Sequence, residues 1–189
     1  MRVLIAEDEA LIRMDLREML EEEGHEVVGE ARDGAEAVAL ARATTPDLVF
    51  MDVKMPNVDG IQAARTISDE AIAPVVMLTA FSQAGLVEEA AQAGAMGYVV
   101  KPFSRDDLRP AMQVAVSRFA EVRLLAQEVD DLKERLETRK LLDRAKGILM
   151  KGGMGEPEAF KRLQKLAMDK RRSLRDVAEA VITAEELKS

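Results

Sequence analysis

The chain is expected to fold as an α/β protein: a doubly wound, five-stranded parallel sheet, followed by a long coiled-coil helix and a small three-helix bundle. Short apolar runs such as Val3-Leu4-Ile5-Ala6 and Leu48-Val49-Phe50-Met51 alternate with helical patterns over residues 1–117, which reads as strands buried on both faces. From 111 to 150 there is one glycine, Gly147, and no proline, so a helix entering that stretch meets no stop signal. Gly152-Gly153 and Ser173 then divide the remainder into two further helices.

Strand one ends in Glu7-Asp8. Leu11, Met14, Leu16, Met19 and Leu20 are expected to form the apolar face of helix one, which Gly24 terminates. Residues 25–30 read as strand two, Asp33-Gly34 as a turn and 35–43 as helix two. Strand three ends at Asp52, and Asp59-Gly60 leads into a helix reaching Ile67. Strand four follows Pro74 and ends in Thr79-Ala80, a helix spans about 86–93, and 97–100 forms strand five, followed by Lys101-Pro102. Five β/α repeats with short links give the doubly wound sheet. Helix five starts between Ser104 and Asp107, either of which can cap it. Pro110 is tolerated within a first turn and otherwise kinks the helix.

Val122, Leu125, Val129, Leu132 and Leu136 recur at alternating steps of three and four, flanked by charged residues. This is a heptad seam, which would align two copies of the chain in a parallel homodimer. The expected organisation is thus a sheet domain over 1–117, a coiled-coil linker over 118–137 and a bundle over 138–189. In the bundle Phe160, Leu163, Leu166 and Ala167 are expected to face Leu174, Val177, Ala178 and Val181, with Leu141, Ala145, Ile148 and Leu149 completing the core. Pro157 suits a first helical turn, and Ser173 with Asp176 reads as a capping box.

The net charge of −8 conceals two opposite halves. Residues 1–117 carry about −11 and 118–189 about +3, with about +8 between 138 and 175. There is no cysteine, which excludes disulfides and thiolate metal sites. The single histidine, His25, opens a strand and reads as a strand-edge residue. No stretch is long and apolar enough to span a membrane, and the chain begins at once with a strand, so a cytoplasmic protein is expected.

In a parallel sheet the ligand site lies off the carboxyl ends of the strands. Glu7, Asp8, Asp52, Thr79 and Lys101 all fall there, a set suited to an acyl-phosphate site with a divalent metal. Asp52 is the nucleophile by position. Glu7 and Asp8 supply oxygen ligands for Mg²⁺, which could also take the backbone carbonyl of Lys54. Thr79 can donate its hydroxyl to a phosphate oxygen, and Lys101 supplies a point positive charge. A haloacid-dehalogenase-like phosphatase would want a second acid two residues after the nucleophile, where Lys54 stands.

Glu7-Asp8, Asp52, Met55-Pro56-x-x-Asp59-Gly60, Thr79-Ala80 and Lys101-Pro102-Phe103 together resemble the receiver domain of two-component response regulators, over 1–117. The resemblance implies a flavodoxin-like fold and phosphorylation of Asp52 by a sensor histidine kinase, with Thr79 and Lys101 binding the phosphoryl group. It also implies that Tyr98 is an aromatic switch working with Thr79. Such a domain is a phosphoacceptor, whose only chemistry is Mg²⁺-dependent self-phosphorylation and dephosphorylation.

In the bundle, Lys140, Arg144 and Lys151 line one side of a helix around Gly147, and Lys161, Arg162, Lys165, Lys170, Arg171, Arg172 and Arg175 add to the basic excess. Such clustering is the footprint expected for nucleic-acid phosphates. Leu174-Arg175-Asp176-Val177-Ala178 looks like the opening of a helix-turn-helix, yet too few residues follow to build a recognition helix. The run 144–150, followed by Gly155-x-x-Glu158-Ala159-Phe160 and Val177-Ala178, resembles the ANTAR domain, the RNA-binding module of antiterminators, over 136–182. The resemblance implies an actinobacterial-type antitermination regulator whose dimer binds paired RNA hairpins of leader or terminator RNA. Lys140, Arg144, Lys146, Lys151 and Arg172 are the candidate RNA contacts. Phe160 is assigned to the core, leaving base stacking to arginine planes. The alternatives are a helical module that regulates a protein partner and a DNA-binding response regulator.

Overall fold

A computed structural model describes residues 1–80 and 84–187. Five parallel strands, β1 (Arg2–Ala6), β2 (Glu26–Ala31), β3 (Leu48–Asp52), β4 (Val75–Ala80) and β5 (Gly97–Lys101), form one sheet in the order β2-β1-β3-β4-β5. Helices α1 (Ala10–Glu22), α2 (Gly34–Thr44), α3 (Gly60–Asp69) and α4 (Ala84–Gln92) connect them, and α5 (Arg105–Lys151) follows β5. Two more helices, α6 (Glu156–Lys170) and α7 (Leu174–Glu186), complete the chain. Contacts divide it into two units, 1–124 and 125–189, with α5 contributing to both.

The period-two alternation of strand side chains builds two separate cores. Leu4, Ala6, Val49, Met51, Val75 and Met77 point to one face, where Ala37, Ala41, Ala63, Ala64 and Ile67 of α2 and α3 cover them. Val3, Ile5, Leu48, Phe50, Val76 and Leu78 point to the other, against Leu16 and Leu20 of α1 and Leu108, Met112 and Ala115 of α5. Burial on both faces explains why these strands read as continuous apolar runs.

The apolar face of α1 differs from the one expected. Leu11 and Met14 are 73% and 58% exposed, and the buried stripe is Arg13, Leu16 and Leu20. Its first position is a charged residue because the stripe begins over a polar pocket. Gly24 ends the helix at φ 79, a conformation glycine adopts without a Cβ penalty. Strand β2 is shifted by one residue from the expected 25–30, and α4 begins at Ala84, before residue 86.

Ser104 caps α5: its backbone N–H and its hydroxyl both donate to Asp107 Oδ2. Pro110 therefore stands beyond the first turn, and the helix nevertheless runs on to Lys151. The proline withholds one helical donor from the carbonyl of Asp106. Val122, Leu125, Val129, Leu132 and Leu136 are each about half exposed in the single chain.

Within the second unit, Ala145, Leu163, Ala167, Val177, Ala178 and Ile182 form the buried core, with Leu141, Ile148, Leu149, Leu166, Leu174 and Val181 packed against it. Gly153 (φ 94) ends α5, Gly155 is the N-cap of α6, and Ser173 and Asp176 close a capping box on α7. Phe160 departs from its expected core position. Ala159 takes that position, and Phe160, rotated by one residue, lies at the edge of an open groove beside Arg139, Leu142 and Lys146.

One close approach ties the sheet to its functional edge. A β-carbon at Gly60 would lie 1.8 Å from the carbonyl oxygen of Asp52, and the Gly60 N–H donates to Val53 O at 3.0 Å. Gly60→Ala must therefore displace the β3 terminus. The expected outcome is a loss of about 2–3 kcal/mol in urea unfolding of the full chain; unchanged stability would refute the close approach.

Candidate functional site

Asp52 closes β3 and Glu7 and Asp8 follow β1, adjacent strands whose register fixes Ala6 opposite Met51. One carboxylate oxygen from each of the three lies within 4.8 Å of the others. Glu7 and Asp52 are buried, whereas Asp8 is exposed. Lys101, at the end of the edge strand β5, reaches across β4 to place Nζ 2.6 Å from Glu7 Oε2 and 2.9 Å from Asp52 Oδ1. Thr79, 4% exposed on β4, stands between these strands, and its hydroxyl donates to the Ala80 carbonyl at 3.3 Å. Lys54 is exposed in the loop after β3.

Burial pushes the Glu7 carboxyl above the usual carboxylate range; the Lys101 hydrogen bond opposes this and the Asp52 charge reinforces it. Asp52 is raised for the same leading reason, with Lys101 opposing and Asp8 adding to it. Burial alone would lower the Lys101 ammonium, but its two carboxylate partners leave it raised. A single lysine thus leaves the three acids short of positive charge. Hard oxygen donors under that deficit fit a divalent cation.

Arg13 has no role in the sequence-level expectation, yet it is 8% exposed beneath the pocket. Its Nη1 donates to the backbone carbonyl of Glu7 at 2.7 Å, and its Nε donates to Glu30 Oε2 at 3.1 Å. The guanidinium thereby holds the loop that carries two of the three acids. An arginine within an otherwise apolar helical stripe was the available signal. Tyr98 is 54% exposed on β5 and faces outward, beside Asp107, Pro110 and Arg118. The Lys101–Pro102 peptide is cis.

The cations of the second unit fall into two groups. Lys140 Nζ pairs with Glu137 at 2.8 Å, and Arg144 with Glu186 at 2.7 Å. Lys146 is 18% exposed and lies between Asp143 at 2.8 Å and Glu156 at 2.9 Å. Lys151 and Arg172 are exposed and make no ion pair among the described residues. Gly147 is exposed, and a β-carbon there would meet nothing within 4 Å.

Arg13→Leu leaves the Glu7 carbonyl unsatisfied and removes a partner from Glu30, which keeps Arg17 at 2.6 Å. The expected outcome is a destabilisation of about 2–3 kcal/mol in chemical unfolding; a neutral substitution would show that the buried hydrogen bond is not formed.

Comparison with known proteins accords with this geometry. Residues 3–113 match the response regulator receiver domain and residues 130–182 the ANTAR domain. Over 182 residues, 96% of this chain and 89% of the relative, the sequence is 64% identical to the transcriptional regulatory protein PdtaR of Mycobacterium tuberculosis. The chemotaxis protein CheY of Bacillus subtilis is 43% identical over 112 residues, 59% of this chain and 93% of CheY. The response regulator domain of Thermotoga maritima CheB superposes with a TM-score of 0.57 at 32% identity, covering 62% of this chain and 96% of that one. Vibrio cholerae CheY4 gives 0.56 at 31%, covering 60% and 97%. The chain belongs to the two-component response regulators in which a receiver domain is followed by an ANTAR domain.

Proposed function

We propose that this chain is a cytoplasmic, phosphorylation-dependent antiterminator: Asp52 accepts phosphate from a sensor histidine kinase, and the helical bundle of a homodimer binds hairpin RNA so that a terminator does not form. The observation that carries this reading is a buried acid cluster bridged by Lys101 in the same chain as an ANTAR module. Among the described residues, no helix is long and apolar enough to cross a membrane. The organisation we propose is a receiver over 1–117, a coiled-coil linker over 118–137 and the RNA-binding bundle over 138–189.

In the transfer, an Asp52 carboxylate oxygen attacks phosphorus, the bond from phosphorus to the donor imidazole breaks, and its electron pair returns to the imidazole nitrogen. Lys101, released in part from Glu7, neutralises one phosphoryl oxygen. The Thr79 hydroxyl turns from the Ala80 carbonyl to donate to another, and Tyr98 follows by turning inward from its exposed position. Glu7, Asp8, Asp52 and the Lys54 carbonyl would hold Mg²⁺, which supplies the positive charge that the three acids lack. Arg13 keeps the Glu7-Asp8 loop in place throughout.

The half-exposed seam over 122–136 supports a parallel dimer, since apolar residues at a and d spacing bury their faces against a second copy. This pairing would bring two bundles together for paired hairpins. Unpaired loop bases offer edges that an A-form duplex hides.

Asp52→Asn is expected to abolish stable phosphate uptake from an acyl-phosphate donor; retained uptake would overturn the acceptor. The same substitution tests the charge deficit. Because burial raises the Asp52 carboxyl in the folded state, its ionised form costs stability, a cost that grows as pH rises from the ordinary carboxylate range through the raised folded-state value. In metal-free buffer the asparagine variant should therefore melt higher than wild type at pH 7, and the difference should vanish below about pH 3, where the aspartate is largely protonated in both states. A lower melting temperature at pH 7 would contradict the deficit. For the seam, Leu125→Asp with Leu132→Asp is expected to give a monomer in light scattering at concentrations where the acyl-phosphate-treated wild type is dimeric; an intact dimer would refute this interface.

A further inference from the structure

The basic excess of the bundle is confined to one short segment. Residues 161–175 contain seven lysines and arginines and one carboxylate, Asp169. In contrast, residues 125–160 contain seven cations and eight carboxylates. Three of the α5 cations are compensated, since Lys140, Arg144 and Lys146 each lie against a carboxylate. A phosphate approaching them must compete with an existing partner.

The segment 161–175 differs in placement as well as charge. Ala159, Leu163 and Ala167 are the buried positions of α6. Lys161 and Lys165 each lie two residues from one of these, which puts them about 160° around the helix from Leu163, on the outer face. Met168, on the same side one turn further on, is 79% exposed. The helix ends at Arg171 in the left-handed region (φ 52), and Arg172 follows.

The turn that carries these two arginines is held firmly. The Arg172 N–H donates to the Ala167 carbonyl at 3.0 Å, and the Ser173–Asp176 capping box fixes the start of α7. Arg175 points away, to Glu179 and Glu134. Lys161, Lys165, Arg171 and Arg172 are exposed and form no ion pair among the described residues. A row of unpaired cations on a rigid backbone can neutralise successive phosphates without first breaking a protein contact, and the counterions thereby released from RNA favour binding.

We infer that the sugar-phosphate backbone of the RNA docks on the outer face of α6 and the α6–α7 turn, through Lys161, Lys165, Arg171 and Arg172, a placement that rests on the RNA-binding function proposed above. The α5 face is then secondary. Exposed Met168 stands among these cations and gives an apolar surface for a sugar or an unpaired base.

The test uses the full-length chain, treated with an acyl phosphate, and a pool of tandem-hairpin RNAs with randomised loops, in filter binding from low to high salt. Lys161→Gln, Lys165→Gln and Arg172→Gln combined should weaken binding about tenfold or more and reduce the slope of log K against log salt by about 2, at roughly 0.7 per phosphate contact. Lys140→Gln, Arg144→Gln and Lys151→Gln combined remove as many charges from α5 and should change the slope by less than about 1. A charge-conserving set, Lys161→Arg, Lys165→Arg and Arg172→Lys, should retain the wild-type slope, which separates lost charge from lost folding. If the α5 set loses the slope while the α6 set keeps it, the placement is overturned and the RNA function stands. If the wild-type protein retains no RNA even at low salt, both fail.

Discussion

The bridge from Lys101 to Glu7 and Asp52 is the interaction on which the functional edge of the sheet depends. It joins the ends of β1, β3 and β5, spanning β4, and it places a half-buried ammonium against two buried carboxylates. Removing the lysine would leave both carboxylates uncompensated at that depth. The bridge is also incomplete, because three acids face one ammonium. That residual negative charge makes the site a receptor for a cation and for a phosphoryl group whose oxygens Lys101 can take over.

The supports of this site lie outside it. Gly60 admits the Asp52 carbonyl at a distance no side chain would allow, and Arg13 anchors the backbone of Glu7 from below. Both act on main-chain position, so the geometry of the carboxylates is set by groups that touch no substrate. The ion pairs continue outward from Arg13 to Glu30 and Arg17, becoming progressively more exposed. Stabilisation per pair falls along that series as solvent screening increases.

The second unit shows why net charge and available charge differ. Its basic character was legible in composition, but Lys140 and Lys146 of α5 sit one helical turn from acids and Arg144 meets Glu186 across the bundle. Phe160 illustrates a related point. Its spacing fits the apolar stripe, yet the packing selects Ala159, because small residues at 159 and 167 let α6 lie close to its neighbours. The same consideration applies to Leu11 and Met14, which match a helical period and remain exposed.

The sequence by itself determined the strand order of chemistry: buried apolar runs specify parallel strands, and a parallel sheet gathers the residues after those runs at one edge, so Glu7, Asp8, Asp52, Thr79 and Lys101 were legible as a group. It also determined the helix ends at Gly152-Gly153 and Ser173, since such caps act through local backbone hydrogen bonds, whereas it left the start of α5 open between Ser104 and Asp107. Only the tertiary structure decided which residue of each amphipathic stripe is buried, where Arg13 directs its donors, and which cations are already paired. These depend on the distance between elements remote in the chain, and no local pattern encodes that distance.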